Sequence, residues 1–253
     1  MKISMAACVI LQCAGMYAES RYTYDIKKDL VTGSLSLGIF IAPFFIGGPA
    51  PGTVFNKNEV NSFDRTLFRS YNKRPDMTSK IGTYGLMALP VLPVIGNIKT
   101  PHAVITYGIM YAEAFFLTYG TKELLKHMIN RNRPYSYFGS IPPGKEDDYD
   151  NSFPSGHTAL AFMAAGFLTS TFSTEYPRSR WKAPVIAAGY SIAAAIGAGR
   201  ILSGSHFLTD VIAGAAIGSL YGYLIPYLHL RKRIDEKITI SPMVNGFYVS
   251  VAL

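Results

Sequence analysis

The chain has 253 residues, of which 49% are hydrophobic and only 16% are charged. A soluble domain has nearer a quarter of its residues charged, so the composition argues against an ordinary water-soluble protein. The net charge is +8, but the Lys and Arg residues lie between apolar stretches rather than along one helix face, which argues against nucleic acid as a partner. An anionic membrane surface and an anionic substrate fit the charge better.

The first 18 residues have the features of a secretory leader. Met1–Ala18 contains one lysine, an apolar run and small residues. This pattern favours a signal peptide cleaved after Ala18, with an uncleaved anchor as the alternative. The chain has two cysteines, Cys8 and Cys13, and both lie in the leader. The sequence therefore offers no disulfide or cysteine-based metal framework in the rest of the chain.

Six stretches with few charges follow the leader. Each has about the length of a bilayer-spanning helix, roughly 17–25 residues, and their many small residues suit close helix packing in lipid. Buried helices of a soluble protein are the alternative, but these need a charged outer face, which the stretches lack. The sequence predicts an all-α fold, a six-helix transmembrane bundle. The stretches are Leu30–Gly48, Ile81–Asn97, Ala103–Thr121, Gly156–Ser173, Pro184–Ala198 and His206–Tyr227.

The connections carry further predictions. Within the long connection Pro49–Lys80, apolar residues of Val60–Tyr71 recur near helical spacing, which predicts an amphipathic helix on the membrane surface, or else a solvated helix. The acidic loop Pro142–Ser152 is interpreted as solvated, with a metal site or a substrate-side role left open. Asn245-Gly246 between two alternating runs predicts a short C-terminal β-hairpin. We expect three parts: the leader (1–18), a main membrane domain (19–230) and a tail with the hairpin (231–253).

The first chemical motif is Lys126-x6-Arg133-Pro134, at the end of the third stretch. Proline disfavours helical geometry in the residue before it, so the helix is expected to end at Arg133. Lys126 and Arg133 are then close to two helical turns apart and lie on one face. Taken alone, they could be two cations that reach the membrane surface from the end of a span.

The second motif, Pro154-Ser155-Gly156-His157, opens the fourth stretch. Ser155 is expected to cap the helix, and Gly156 lets an anion approach the backbone closely. The free N–H groups and the dipole of a helix start favour a bound anion. His157 would face the same anion. The alternative is a simple helix cap with a histidine at the membrane interface.

The third motif is Arg200-x5-His206-x3-Asp210. His206 and Asp210 have the i, i+4 spacing of one helix face. A carboxylate can hold one imidazole nitrogen protonated and leave the lone pair of the other exposed, which makes a nucleophile. A carboxylate in an apolar span is costly without such a partner. Arg200 can bind two phosphate oxygens at once. The alternative is a buried His–Asp pair that only stabilises packing.

In this order and spacing, the three motifs resemble the type 2 phosphatidic acid phosphatase and vanadium haloperoxidase superfamily. The family pattern is K-x6-R-P, then P-S-G-H, then S-R-x5-H-x3-D. Gly199 stands where the family often has serine, which removes a possible hydroxyl contact and little else. The resemblance implies that His206 attacks phosphorus, Asp210 orients His206, and His157 acts as acid and base. It implies that the phosphate is bound by five residues, namely Lys126, Arg133, Ser155, Gly156 and Arg200.

The expected activity is that of a membrane phosphatase. It would hydrolyse a lipid phosphate or pyrophosphate through a phosphohistidine, with no metal and no cofactor, because fixed cations replace a metal ion. The alternatives are a soluble secreted acid phosphatase, a vanadate-dependent haloperoxidase and a non-enzymatic transporter or scaffold. The distribution of Lys and Arg and the resemblance favour a bacterial inner-membrane protein whose site faces the periplasm, whereas a cleaved signal argues the reverse. The particular lipid and the oligomeric state stay open.

Overall fold

The computed structural model describes residues 20–46, 56–91, 100–139, 141–230, 238–243 and 246–251. The leader Met1–Ala18 lies outside these residues. So do the last residues of the first two predicted stretches and Asn245 of the predicted hairpin turn. What the sequence predicts at those positions stays a prediction.

The described part of the chain is mostly helical. It contains six helices of 16 or more residues, and each overlaps one of the six predicted stretches. That all six cross a membrane stays a prediction. The helices are α1 (Ile26–Ile41), α2 (Lys73–Ala88), α3 (Pro101–Ile129), α4 (Gly156–Glu175), α5 (Lys182–Leu202) and α6 (Leu208–Leu228).

The predicted surface helix Val60–Tyr71 is wrong in its extent. The structure has a single helical turn there, Ser62–Arg65, after which the chain leaves helical geometry until α2 begins. The physical reason is Asp64, which is fully buried and accepts hydrogen bonds from Arg131 and Thr209. These bonds to distant residues anchor the segment against the start of α6, and the apolar spacing of the segment does not encode them.

Helix α2 begins at Lys73, well before the predicted start of the second stretch at Ile81. The side chain of Asn72 caps it by accepting a hydrogen bond from the backbone N–H of Arg74 (3.1 Å). The first helical turns of α2 contain polar residues, so the hydropathy pattern of the sequence assigns them to a loop. Several of them are nevertheless buried, because α2 packs against α4 and α5. The buried polar residues of α2 are Asp76, Ser79 and Thr83.

Helix α4 lies at the centre of the helical part, where it contacts α2, α3, α5 and α6. Its tightest neighbour is α6, on which Gly214, Gly218 and Gly222 recur every four residues. A Cβ atom at Gly214 would lie 2.5 Å from the carbonyl oxygen of Ser155, and Cβ atoms at the other two glycines would collide with α4 carbonyl oxygens. The backbones of α4 and α6 thus approach each other closely, which only small residues permit. The starts of α4 and α6 therefore lie side by side.

The outer faces of the helices carry large exposed apolar side chains. Leu30 and Val31 on α1 and Ile81 on α2 are each 68% exposed, and Leu220 on α6 is 56% exposed. Among the described residues, two helices, α5 and α6, are long and apolar enough to cross a membrane.

Near the end of the chain, the backbone of Ile238–Met243 (β1) pairs with that of Gly246–Val251 (β2) in an antiparallel ladder. The register places Ile238 opposite Val251 and Met243 opposite Gly246. Because Asn245 lies outside the described residues, the predicted turn chemistry stays a prediction.

Candidate active site

A cavity of about 280 Å³ brings together most of the predicted site residues. It lies where α3 and α5 end and where α4 begins, beside the loop that leads into α6. Two predicted site residues, Ser155 and Asp210, are fully buried and are not part of its lining. The predicted residues that line the cavity are Lys126, Arg133, Gly156, His157, Arg200 and His206.

Arg133 reaches the cavity from a loop, so the prediction that it shares a helix face with Lys126 is wrong. Helix α3 ends at Ile129, and Asn130 after it has left-handed geometry (φ 40°). Asn130 tolerates this conformation better than most residues. The chain then turns, and the backbone N–H of Arg133 donates to the carbonyl oxygen of Tyr149 (2.6 Å). The early turn brings the guanidinium of Arg133 into the cavity from the side.

The guanidinium of Arg133 is fixed by several partners. Its Nε and Nη2 donate to the carbonyl oxygen and the Oδ1 of Asp148 (2.6 and 2.7 Å), and its Nη1 donates to the carbonyl oxygen of Ser205 (2.9 Å). Burial raises the pKa of Asp148, but the charge and the hydrogen bonds of Arg133 outweigh it and leave that pKa below its ordinary value. The acidic loop 142–152 therefore supplies a partner for Arg133 rather than being only solvated.

The turn between α5 and α6 positions His206 at the cavity. Gly204 in this turn has a positive φ of 65°, and a Cβ there would lie 2.5 Å from the carbonyl oxygen of Ser70. Glycine is therefore required at this position.

The Nδ1 atom of His206 lies 2.7 Å from the carbonyl oxygen of Ser152. A carbonyl can only accept a hydrogen bond, so Nδ1 carries the proton and the lone pair is on Nε2. Nη1 of Arg133 donates to this Nε2 (2.9 Å). Burial first, and then the charges of Arg133 and Arg200, lower the pKa of His206 well below its usual range. His206 is thus neutral, with the lone pair of Nε2 towards a cation.

Asp210 does not hydrogen-bond to His206 directly. Its Oδ2 is 3.7 Å from Nδ1 of His206, whereas the same oxygen accepts hydrogen bonds from the Ser152 hydroxyl (2.5 Å) and the Phe207 N–H (2.8 Å). The prediction that Asp210 holds the imidazole proton is therefore corrected, since the acceptor is the backbone of Ser152. Asp210 instead holds the segment that carries this acceptor.

Ser155, Gly156 and His157 form the start of α4, as the motif predicts. Ser155 occupies the N-cap position, but its hydroxyl lies 2.8 Å from the Thr158 hydroxyl and makes no hydrogen bond to the helix backbone. The predicted side-chain cap is thus wrong. Gly156 lines the cavity, and a Cβ there would lie 2.8 Å from Cδ of Lys122. The helix start therefore opens onto the cavity together with the ring of His157.

Arg200 is held by a carboxylate that the motifs do not contain. Its Nη1 donates to Oδ1 of Asp76 (2.5 Å) and to the Ser79 hydroxyl (3.3 Å), and all three side chains are buried. Its Nε has no hydrogen-bond partner among the described residues. Asp76 also lies 3.0 Å from Nζ of Lys80 and 3.6 Å from Nζ of Lys145. The i, i+4 spacing of Asp76 and Lys80 is the one sequence signal that could have pointed to this helix.

Lys126 is part of a small charge cluster on α3. Its Nζ lies 3.7 Å from Oε1 of Glu123, which also forms a close ion pair with Lys122. Lys122 is buried, lines the cavity and lies over the ring of Tyr119. Lys122 thus adds a cation that the motif did not predict, although it lies one helical turn before Lys126.

Arg131 is a further residue that the motifs missed. Its Nη1 donates to Oδ1 of Asp210 and its Nη2 to Oδ2 of Asp64, both at 2.6 Å. Both carboxylates are fully buried. Arg131 therefore ties the loop after α3 to the start of α6 and compensates two buried charges.

The charges around the cavity do not cancel. Three carboxylates each contact one or more cations, yet six cations line the cavity, so the described residues leave a net charge of +3. The acidic groups here pair with Lys or Arg and do not gather into a metal site. The arrangement suits a small anion such as phosphate. The cations are Lys80, Lys122, Lys126, Arg133, Lys145 and Arg200, and the carboxylates are Asp76, Glu123 and Asp148.

Several curated proteins are similar to this chain. Lipid A 1-phosphatase of Porphyromonas gingivalis is 41% identical over 102 residues, which are 40% of this chain and 20% of that protein. Phosphatidylglycerophosphatase B of Bacillus subtilis is 33% identical over 127 residues, 48% of this chain and 57% of the relative. Bacitracin transport permease protein BcrC of Bacillus licheniformis is 33% identical over 140 residues, 51% and 63% of the two chains. This chain spans less than two thirds of the length of each of these relatives.

A solved structure, that of the transmembrane PAP2 type phosphatidylglycerolphosphate phosphatase from Bacillus subtilis, is similar over 82% of this chain and 98% of that one. The identity is 20% and the TM-score is 0.40. The model of the PAP2 superfamily matches residues 107–234, just over half of the chain, and this range contains all three motifs. The resemblance drawn from the motifs is thereby confirmed, and the chain belongs to the PAP2 superfamily.

Proposed function

We propose that the protein is a membrane phosphatase that hydrolyses a lipid phosphate or pyrophosphate monoester through a phosphohistidine. The observation that carries the proposal is the cavity in which Nε2 of His206 lies among the cations of the first and third motifs, at the helix start formed by the second. A neutral, buried imidazole with its lone pair on this nitrogen is a competent nucleophile. Fixed cations and the N–H groups at the start of α4 are placed to stabilise charge on a transferring phosphoryl group.

In the first step, Nε2 of His206 forms a bond to phosphorus while the bond from phosphorus to the leaving oxygen breaks. His157 donates its proton to that oxygen, so the lipid leaves as a neutral alcohol or, from a pyrophosphate, as a lipid phosphate with one negative charge fewer. Arg133 donates a hydrogen bond to Nε2 in the free site (2.9 Å). It therefore transfers this hydrogen bond to a phosphate oxygen before the attack.

In the second step, His157, now neutral, takes a proton from a water molecule. The water oxygen bonds to phosphorus, the bond from phosphorus to Nε2 breaks, and inorganic phosphate leaves. Lys126, Arg133 and Arg200 bind the phosphate oxygens in both steps. The backbone N–H of Gly156 donates a hydrogen bond to the phosphate at the start of α4. Ser155 is buried behind this helix start, where its hydroxyl contacts the Thr158 hydroxyl. The mechanism needs no metal ion, because these groups supply the positive charge.

The exposed apolar faces of the helices and the position of the cavity support a lipid substrate. Leu30, Val31 and Ile81 expose more than half of their surface, and such apolar faces fit contact with lipid chains better than with water. The cavity lies at the ends of the long helices, at the depth of headgroups if these helices cross a bilayer. The names of two relatives, lipid A 1-phosphatase and phosphatidylglycerophosphatase B, support the same class of substrate.

The activity is tested on the full chain purified in detergent. Phosphate release is measured from phosphatidic acid, phosphatidylglycerol phosphate, a polyprenyl pyrophosphate and lipid A, each with and without EDTA. We expect His206→Ala to abolish hydrolysis and His102→Ala, an exposed histidine outside the cavity, to leave it unchanged. Equal rates for His206→Ala and the wild type would overturn the mechanism, and an immediate loss of activity with EDTA would overturn the metal-free step.

The covalent intermediate has its own test. With p-nitrophenyl phosphate, the leaving group needs no proton, so His157→Ala should still be phosphorylated on His206 but should release phosphate slowly. When the phosphoryl group of this substrate is radiolabelled, rapid quenching in alkali should therefore trap more labelled protein for His157→Ala than for the wild type. The label should disappear on brief acid treatment, as expected of a phosphohistidine. Label that survives acid would point to a different nucleophile.

We further propose that the protein lies in a bacterial inner membrane with the cavity facing the periplasm. Single cysteines at Asp147 and Arg180, both exposed, lie on opposite sides if the six helices cross the membrane in turn. With both native cysteines replaced by serine, an impermeant thiol reagent added to intact cells should label Asp147→Cys and not Arg180→Cys. The reverse pattern would place the cavity on the cytoplasmic side.

A further inference from the structure

A second group of ionisable side chains lies at the other end of α6. His229 directly follows α6, Asp29 is in the first turn of α1, and Glu113 is in the middle of α3. One candidate ligand atom from each residue lies within 4.8 Å of the other two. With a rise of about 1.5 Å per residue, α6 separates His229 from the start of α6 beside His206 by about 30 Å, and α3 separates Glu113 from Lys126 by about 20 Å.

Two buried polar atoms in this group have no hydrogen-bond partner in the described part of the chain. They are Oε2 of Glu113 and Nε2 of His229, whose residues are 3% and 5% exposed. The other oxygen of Glu113 is satisfied by the Thr32 hydroxyl (2.7 Å). A buried polar group that is left unpaired destabilises the folded state, and a charged one does so more strongly. The group is therefore incomplete without a further positive partner.

The tautomer of neutral His229 follows from the hydrogen bond of its Nδ1 atom. Nδ1 lies 2.9 Å from the carbonyl oxygen of Ile225, and a carbonyl only accepts, so Nδ1 carries a proton. The lone pair of neutral His229 is then on Nε2, which lies 3.1 Å from Oδ1 of Asp29 and 3.6 Å from Oε2 of Glu113. A lone pair that faces two carboxylates is repelled unless a cation lies between them. A backbone acceptor on the far nitrogen is also the usual support of a metal-binding histidine.

We propose that Asp29, Glu113 and His229 bind a divalent transition-metal ion, with Zn²⁺ the best fit. Bonds of about 2.0–2.2 Å in tetrahedral geometry place neighbouring ligand atoms about 3.3–3.6 Å apart. The two measured distances from Nε2, 3.1 and 3.6 Å, lie close to that spacing. Two carboxylates balance the charge of the ion. Mg²⁺ fits less well, because it prefers octahedral oxygen ligands and keeps several waters.

The site is accessible to an ion and to water. A cavity of about 680 Å³ borders it and is lined by Asp29, Thr32 and His229, with Lys27 and Lys28 at the same edge. A water molecule in this cavity can occupy the fourth position, which three protein ligands leave open. The ion joins α1, α3 and the end of α6 on the face opposite the catalytic cavity. Its role is to stabilise the bundle, since it is too far away for phosphoryl transfer.

The site is tested by metal analysis of the full chain, purified without chelator, incubated with Zn²⁺ and desalted. We expect about one zinc per wild-type chain and none bound by Glu113→Gln or His229→Gln. Asp25→Asn changes a carboxylate at the same end of α1 that only caps the helix, so it should keep the zinc. Catalytic activity of each variant shows that it is folded. Co²⁺ in place of Zn²⁺ should give the visible absorption of a tetrahedral site in the wild type and in Asp25→Asn, but not in Glu113→Gln or His229→Gln.

A second measurement addresses stability. EDTA should lower the melting temperature of the wild type and of Asp25→Asn but not that of His229→Gln, and Zn²⁺ should restore it. Zinc retained equally by all variants, or a wild type that binds none and melts unchanged with EDTA, would overturn the site. In the latter case, the group is a protonated histidine paired with carboxylates. Phosphate release well below the melting temperature tests the catalytic proposal separately.

Discussion

Asp210→Asn separates two roles that this carboxylate could have. In the structure, Nδ1 of His206 donates to the carbonyl oxygen of Ser152 (2.7 Å), and Oδ2 of Asp210 is 3.7 Å away. The amide oxygen of the substituted side chain can take the place of Oδ2 and keep the hydrogen bonds from Ser152 and Phe207, so the hydrogen bond that orients His206 stays in place. The substitution removes a negative charge near the ring, which becomes positive as Nε2 bonds to phosphorus.

The size of the effect follows from this distance. A full unit charge 3.7 Å from the carboxylate is stabilised by about 4–5 kcal/mol at an effective dielectric constant of about 20. The ring carries only part of that charge in the transition state, and Arg131, 2.6 Å from the other oxygen of Asp210, offsets some of the attraction. We expect a loss of about 1–2 kcal/mol, which is about a 5- to 30-fold lower kcat.

The assay is the initial rate of phosphate release in detergent micelles at saturating lipid. Asp147→Asn, an exposed carboxylate of the nearby loop, is the matched control and should keep the wild-type kcat. A loss of about 10³-fold or more in Asp210→Asn would refute the reasoning, because losses of that size occur when a carboxylate holds the imidazole proton directly. A rate equal to that of the wild type would refute the electrostatic role as well.

Three other substitutions test packing and charge. Arg131→Met leaves two buried carboxylates uncompensated and should lower the free energy of unfolding by about 3 kcal/mol, at the lower end of the range for a broken buried pair because Arg131 is partly exposed. The Tm of this variant in detergent should fall, whereas that of the exposed control Arg180→Met should equal the wild-type Tm. Gly218→Ala forces a Cβ into the α4 backbone and should cost about 1–3 kcal/mol. Gly108→Ala on α3 meets nothing within 4 Å and should not lower the Tm, because alanine is favoured over glycine inside a helix. Since the pKa of buried His206 is lowered, the unfolded chain takes up a proton below pH about 6.5 that the folded chain does not, so stability falls with falling pH by up to about 1.4 kcal/mol per pH unit. His206→Gln should show a smaller fall in Tm between about pH 7 and about pH 5.5, and an equal fall would contradict the assignment.

The motifs allowed the cavity to be predicted because each of them is local. Gly156 and His157 start α4 because of their own short sequence, and His206 is placed by the turn at Gly204. Because successive stretches run in opposite directions in an up-and-down bundle, the cations and imidazoles that follow the third and fifth stretches lie at the same end. The position of Arg133 was still wrong in detail, since α3 ends at Ile129 and not at Arg133.

The residues that the sequence did not reveal are those whose partners are far away along the chain. Asp76 meets Arg200, and Asp64 meets Arg131 and Thr209. Read locally, both aspartates lie in polar segments and look solvated, whereas both are buried. Their environment is decided by how α2 and the turn before it pack on the bundle. No local spacing in the sequence encodes that packing.

Gly199 shows how one departure from the family pattern can be reinterpreted. The sequence alone suggested only a missing hydroxyl contact. In the structure, a Cβ at this position would lie 3.0 Å from Cβ of Ser79, which is closer than packed side chains normally approach. Glycine therefore lets α2 lie directly on the end of α5. This close approach is what places Asp76 within 2.5 Å of Nη1 of Arg200.

The carboxylates around the cavity explain how its cations can be buried before a substrate arrives. An unpaired buried charge is strongly destabilising, yet Arg200 is 2% and Arg133 is 4% exposed. Asp76 and Asp148 compensate these two charges in the free protein. A phosphate dianion that enters the cavity then replaces some of the contacts that these carboxylates make with the cations, rather than binding to cations that have no partner. In the proposed mechanism, the motifs thus supply the groups that act on phosphate, while α2 and the loop 142–152 supply the charges that keep those groups in place.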